Sequence, residues 1–556
     1  MKFKEQVISA LAKATKLKKE QISELIEVPP DPKLGDLSLP CFKLSKQLKQ
    51  DPKKIAANLA KKIKGAKATG PYINFFVDTQ KLAEQVLKQI SKEKNKYGSK
   101  KKTKKVILIE SPSPNTNKPL HVGHLRNLAL AISVSKILSA QGYDSKLINL
   151  INDRGVHISK SMLAYQNWGK NKKPNKKPDH FVGDYYVMFS QKAKQHPMLL
   201  DEAQQMLKEW EAGNKKIIAL WKKMNDWAIK GHNETYKRLG VKHTKTYFES
   251  DMYEEGRKIV LEGLKKKLFY KKPDGAVAIN LGGELGEKIL IRKDGTTVYI
   301  TQDLYLAQQK YKNFKYDKSV YVVGSEQDYH FKVLFKLLEL LKLPSAKGCY
   351  HLSHGMVYLP SGRIKSREGT KVDADDLLDK LEAFAKKEVK ARQKLPEKKL
   401  NELSRKIAGA ALSYYFLKHN PKTDMLFVPK ESISWEGDTG PYLQYALVRA
   451  KKIIKKIRAK KGNPKLLSQG YETDLIKHLA LFPEVTEQAA NQYSPHLVAN
   501  YAKDLAAKFN MFYEKCSVIR AKSKELQKAR LMLVSAFAQT LKNALDLLGI
   551  EDVELM

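Results

Sequence analysis

Two histidines separated by a valine and a glycine, His121-Val122-Gly123-His124, are the residues of this chain best suited to chemistry on a phosphate. If they open a helix, both imidazoles project beside unpaired backbone N–H groups and a positive dipole end. Gly123 has no Cβ to hold a ligand off that backbone. Such donors would stabilise the negative charge that grows on phosphate as an adenylate forms and pyrophosphate leaves. The competing reading is that the pair only caps the helix or packs beside it. Other polar clusters recur further on: Asn152-Asp153-Arg154-Gly155, Gly324-Ser325-Glu326-Gln327-Asp328, and His354-Gly355-Met356-Val357, whose edge groups could read an adenine ring. A glycine-bounded run over 361–370, SGRIKSREGT, carries three cations and suits a cover over triphosphate. A zinc site built on His121 and His124 lacks a third ligand nearby, and the three cysteines, Cys41, Cys349 and Cys516, lie far apart. No metal ligands are therefore expected.

The elements that must position these groups follow from periodicity. Val106 to Ile109 is a continuous apolar run, hence a buried strand. Pro112, Pro114 and Pro119 forbid regular structure, an apolar-periodic helix opens at about Val122 and stops at Gly142, and a second apolar run covers Lys146 to Ile151. This βαβ unit puts the histidines where loop meets helix, at the carboxyl edge of a parallel sheet, where open α/β folds bind ligands. Val320 to Val323 and Tyr350 to Leu359 read as further strands. Between the two halves, about 165–290 reads as a mostly helical insertion with short strand candidates. The N-terminal 1–95 reads as a small α+β domain, with a helix over Phe42 to Ala60, an aromatic strand within Thr69 to Val77, and a lysine-rich linker at Ser91 to Lys105. From 431 to 556 the period is helical throughout. The expected fold class is α/β: a split Rossmann-type parallel-sheet catalytic domain at 100–430 with an insertion, a small N-terminal α+β domain, and an all-α C-terminal bundle.

With 103 Lys+Arg against 59 Asp+Glu, the net charge is +44, which points to a polyanionic partner such as nucleic acid unless the lysines merely fill solvated positions. The N-terminus has no uninterrupted apolar core of a signal peptide, and no 18-residue apolar run exists, so a cytoplasmic protein without a membrane span is expected.

The longer string ESPSPNTNKPLHVGHLRN resembles the arginyl-tRNA synthetases among class I aminoacyl-tRNA synthetases, and the likeness extends along nearly the whole chain. It implies ATP-dependent activation of L-arginine to the adenylate, with magnesium bound alongside ATP and no zinc, and transfer to the 3' end of tRNA(Arg) by a monomer. Carried over by position, the resemblance implies catalytic roles for His121, Gly123 and His124, and ATP contacts from His121, His124, Gly324, Glu326, Met356 and Val357. It implies arginine contacts from Glu110, Asn115, Glu249, Tyr299, Asp303 and Gln327. Two carboxylates, Glu249 and Asp303, suit a planar guanidinium. The family's KMSKS-type loop falls on 361–370, but Ser366 stands where that signature has its second lysine, and either Lys118 or Lys365 would replace it. The N-terminal domain would contact the tRNA through Tyr72 and Asn74, and the C-terminal helices would bind the anticodon, with Tyr442 or Tyr445 stacking on a base. The rivals are an HxGH nucleotidyltransferase acting on a small molecule, and a non-catalytic RNA-binding relative.

Overall fold

The computed structural model describes residues 2–359, 362–363, 373–457 and 462–556. Two compact units emerge, one made of 99–448, 486–503 and 542–556, the other of 1–98, 449–485 and 504–541.

The first unit is built on a five-stranded parallel sheet. Its strands are β1 (Val106–Glu110), β2 (Asp144–Ile151), β3 (Lys245–Phe248), β4 (Lys318–Gly324) and β5 (Cys349–His354), in the spatial order β5-β4-β1-β2-β3. Strand β1, which starts the first half, is the central strand, and β4, which starts the second, pairs beside it with Tyr321 opposite Glu110. Both read as apolar runs because parallel strands are covered on both faces. Helix α1 (Val122–Ala140) crosses from β1 to β2 and is buried on nearly all sides, so it shows none of the one-sided pattern of a surface helix. It ends where expected: Gly142 has φ of +89°, and a Cβ there would lie 2.1 Å from the Lys101 carbonyl oxygen.

Two differences from the sequence expectation stand out here. Strand β3 falls within the stretch read as an insertion, yet pairs in parallel with β2 from Ile148 to Ile151. At four residues with polar positions it carries no apolar run to announce itself. The inserted material divides around it into helices Val156–Trp168, Pro178–Gln195, Leu199–Glu211 and Lys215–Arg238, packed on Met162, Phe181, Phe189 and Met224, and an antiparallel sheet of Tyr270–Lys271, Val277–Asn280 and Glu287–Ile291. The single strand expected over Tyr350 to Leu359 breaks at Gly355, and Val357–Leu359 pairs instead with Met425–Leu426.

In the second unit, Leu37–Pro40 and Ala66–Thr69 flank Tyr72–Phe75 in an antiparallel sheet over a core that includes Leu11, Ile22, Leu39, Leu44 and Ile73. The helix expected over Phe42 to Ala60 is two, Phe42–Leu48 and Pro52–Lys62, because Pro52 cannot continue a helix and Asp51 caps the next one through the N–H groups of Lys53 and Lys54. The lysine-rich linker begins later than expected. Helix Thr79–Glu93 runs into it, and Tyr97 is buried with its hydroxyl donating to the Leu479 carbonyl at 2.8 Å. C-terminal to Gly440 the described chain is helical, with long helices Gly440–Lys456, Gly470–Gln492, Pro495–Lys515 and Lys524–Leu547. Among the described residues no helix is long and apolar enough to cross a membrane.

Candidate active site

His121 is the N-cap of α1, and its ring does the capping itself. Its Nδ1 accepts from the Gly123 N–H at 3.1 Å, while His124 Nδ1 accepts from the His121 N–H at 3.1 Å. The two rings stack with centroids 3.9 Å apart. Accepting at Nδ1 assigns the remaining proton of each neutral ring to Nε2, so each imidazole is a donor along its other edge. Capping and phosphate binding are thus compatible roles, carried by opposite nitrogens. The loop before the helix is held from two sides: the Leu120 carbonyl accepts from Ala374 N–H at 2.9 Å, and the Lys118 carbonyl accepts from His232 Nε2 at 2.9 Å.

Beyond the carboxyl ends of β2 and β3 lies a cluster of carboxylates. Glu249 directly follows β3 and is only 5% exposed, with Oε1 lacking a hydrogen-bond partner. Burial pushes its carboxyl up to about 8; Arg154 pulls the other way, while Asp153 and Asp303 add to the rise. Asp153 is itself pushed up to about 6 by burial, although Ser250 donates to it from N–H at 2.9 Å and from Oγ at 2.7 Å. Arg154 pairs with Glu211 and lies 4.4 Å over the Tyr253 ring. Asp303, in the first turns of helix Tyr299–Phe314, bonds His330 Nε2 at 2.7 Å; burial lowers that imidazole's pKa, but Asp303 more than offsets this and leaves it raised. Tyr299 is half exposed, and the Glu249 charge is felt at its phenol after burial, both raising it.

The structure therefore brings Glu249, Tyr299 and Asp303 together. Arg154 joins them as a fixed cation whose role the sequence did not single out, although it stands in the Asn152–Gly155 cluster. Glu110 is differently placed: its Oε2 accepts from Lys310 Nζ at 2.9 Å in a pair buried at both ends, and the ammonium lies 3.7 Å from the centre of the Tyr321 ring. Its charge is matched by an ion pair inside the protein, whereas Oε1 of the Glu249 carboxylate is buried without a partner. Asn115 pairs with Asn152 in an isolated parallel bridge at the same edge of the sheet. Gln327 closes the exposed turn after β4.

Of the residues expected to contact ATP, Gly324 ends β4 opposite His354, and a Cβ on Gly324 would lie 3.9 Å from Met356 Sδ. Glu326 is exposed on the turn. The Met356 N–H donates to Asp424 Oδ1 at 2.7 Å, and Val357 begins the short strand paired with Met425. Lys365 and Ser366 lie outside the described residues.

Of the residues expected to touch RNA, Tyr72 is partly exposed and meets Phe42 edge-on at 5.8 Å. Asn74 is buried, with its Oδ1 accepting from Ser38 Oγ at 2.6 Å and its Nδ2 donating to Thr69 Oγ1 at 3.1 Å, so its amide ties strands together rather than facing a base. Tyr442 and Tyr445 are half-buried, the latter against Val389 and Trp435. One group among the described residues, Asp179, His180 and Asp375, has spacing for a metal ion, but Lys177 Nζ already lies 3.0 Å from Asp179 and 2.7 Å from Asp375, supplying the cation.

Comparison with known proteins gives the same picture along the whole length. The model of the class I (R) tRNA synthetase catalytic domain matches residues 86–428, the DALR anticodon-binding domain 443–556, and the arginyl-tRNA synthetase N-terminal domain 1–77. The arginine–tRNA ligase of Treponema denticola is 44% identical over 97% of this chain and 96% of its own, and that of Borrelia hermsii 40% identical over 99% and 98%. The solved arginyl-tRNA synthetase of Thermus thermophilus superposes with a TM-score of 0.85 at 26% identity, covering 100% of both chains.

Proposed function

This chain belongs to the arginyl-tRNA synthetases and is an arginine–tRNA ligase of class I, and from that premise we propose how its residues divide the work. The arginine carboxylate attacks the α-phosphate of ATP, the bond to pyrophosphate breaks, and a terminal ribose hydroxyl of tRNA then displaces AMP from the mixed anhydride. Little covalent chemistry falls to the protein, so the residues act by positioning and charge stabilisation. His121 and His124 donate from Nε2 to the phosphates, and the main chain near Met356 and Val357 reads the adenine. Gly324 leaves room beside it, and Glu326 lies at its rim. Asn115 and Gln327 hold the α-amino and carboxylate groups. Glu249 and Asp303 receive the guanidinium, with Tyr299 against its face.

The observation that carries this reading is the Glu249 carboxylate, buried with one oxygen lacking a partner beside a second carboxylate. An arginine side chain supplies a second cation and the missing donors together, and a neutral amino acid supplies no cation. Glu110, with Lys310 as its partner, acts by bracing β1 against the helix Tyr299–Phe314.

In the same reading magnesium arrives with ATP and supplies charge neutralisation on the triphosphate, no zinc is used, and the enzyme works as a monomer in the cytoplasm. The widely separated free thiols Cys41, Cys349 and Cys516 fit a reducing compartment. Tyr72, Tyr442 and Tyr445 offer partly exposed rings to unpaired bases of tRNA(Arg), and exposed Lys452, Lys455 and Lys456 face its phosphates.

The test is arginine-dependent pyrophosphate exchange and tRNA charging with Asp303→Asn, which keeps the shape and removes a charge. Arginine KM is expected to rise steeply, in line with the ~2 to 5 kcal/mol cost of truncating a buried charged pair, while ATP KM stays put. Equal changes in both would remove Asp303 from the arginine pocket.

A further inference from the structure

Arg126 lies one turn into α1, just past the two histidines, and is fully buried. Among the described residues no carboxylate reaches it within ion-pair distance, although Asp424 is near enough to be felt. Its guanidinium is spent on the main chain of two other segments. Nη1 donates to the Gly355 carbonyl at 2.6 Å and the Met356 carbonyl at 3.4 Å, and Nη2 donates to the carbonyls of Pro421 at 3.0 Å and Thr423 at 2.8 Å. Burying a cation without a counter-ion is costly, and a flexible ammonium could not match this planar fork.

The segments so clamped are in close contact already. Gly355 N–H donates to the Pro421 carbonyl, and a Cβ on Gly355 would lie 2.4 Å from the Thr423 carbonyl carbon. The side-chain amide of the next residue of α1, Asn127, is hydrogen-bonded to His354 Nε2. Met425 N–H donates to the Met356 carbonyl and Phe427 N–H to that of Tyr358. The bonds of this parallel pair run through 356 and 358, which turns the N–H and C=O of Val357 to the opposite edge, along which Gly362–Arg363 pairs with Tyr358 and Leu359 further on. A fixed N–H and C=O side by side on one strand edge can match the N1 acceptor and N6 donor of adenine, provided the strand cannot shift.

We propose that Arg126 is the positioning residue that fixes the adenine-reading main chain at 355–357 to the phosphate-binding end of the same helix. One rigid piece then sets both the choice of nucleobase and the placement of the triphosphate. The inference rests on the reading that residues 356–357 face the adenine ring.

The experiment compares ATP with ITP, which has the same ribose and triphosphate but a carbonyl at C6, in arginine-dependent pyrophosphate exchange by the full-length enzyme with tRNA present. Arg126→Lys keeps the charge and loses the fork. Its ATP-over-ITP ratio of kcat/KM is expected to fall by about tenfold or more, with arginine KM within about threefold of the parent, since a site built on hydrogen bonds loses discrimination when they are misplaced. Gly355→Ala perturbs the same segment from its other side without touching the buried cation, and is expected to lower the ratio in the same direction. A role confined to stability would lower the melting temperature and slow both nucleotides equally. An unchanged ratio in both variants therefore overturns the proposal. Photolabelling of the parent with 8-azido-ATP separates this from failure of the underlying reading: label in the peptide containing 354–359 upholds the reading, and label only elsewhere removes it, and the proposal with it.

Discussion

If Glu249 receives the guanidinium as proposed, arginine binding is expected to be a proton-coupled event. In the ligand-free protein its carboxyl is raised from an ordinary 4.5 to about 8, first by burial and then by Asp153 and Asp303, with Arg154 opposing. At about pH 7 only about one molecule in ten then carries the charge that a guanidinium requires, so the apparent Kd for arginine is weakened by about tenfold relative to the fully ionised enzyme. The affinity is expected to gain about one decade per pH unit on rising toward pH 8 and then level off, with about one proton released per arginine bound near neutrality. Stability has the opposite sign. A folded-state pKa above the unfolded value favours the fold below about 4.5, and that contribution, on the order of 5 kcal/mol as an upper bound, is lost as pH rises through about 8. Arginine should restore it. Equilibrium dialysis with labelled arginine between about pH 6 and 8.5, paired with calorimetry in two buffers of different ionisation enthalpy, measures both the slope and the proton count. Glu249→Gln should bind arginine weakly and with a flat profile. A wild-type Kd that is constant over this range, with no proton released, would refute the reasoning.

Three further outcomes are expected. His124→Ala should lower the rate of adenylate formation by ~10² to 10³ in single-turnover assays, the range for one missing oxyanion donor, with arginine binding nearly unchanged; a near-normal rate would reduce the histidine pair to a helix cap. Lys118→Ala should slow the same step by ~10² or more and cost more than Lys365→Ala, with Ser366→Lys recovering part of the loss, because a cation is needed as charge gathers on the departing pyrophosphate. The reverse ranking would assign that role to Lys365. Neutralising Lys452, Lys455 and Lys456 should weaken tRNA binding and flatten its salt dependence by roughly one unit of slope for each phosphate no longer neutralised, measured by filter binding; an unchanged slope would make them a solvated face.

The βαβ unit around His121 and His124 was legible because its signals are local: an apolar run, prolines, a glycine that ends the helix, and hydrophobic spacing between them. The family was legible for a related reason, since the resemblance is carried by eighteen consecutive residues, Glu110 to Asn127. Strand β3 and the break at Gly355 were not legible, because four polar-interrupted residues become a strand only when β2 supplies the partner, and Gly355 matters only because the 421–424 turn comes to lie against it. The same holds for charges. Glu110, Glu249 and Asp303 look alike in sequence, but Lys310 reaches Glu110 from two hundred positions away, His330 reaches Asp303 from the helix Asp328–Leu340, and one oxygen of Glu249 is buried without a partner. Arg126 reads as one more cation in a basic chain, and four carbonyls from two distant segments make it a clamp. Residue type decides what a side chain can bond. Only the folded chain decides which of those bonds are already taken, because in a dry interior each buried charge must be matched by whatever the tertiary structure brings to it.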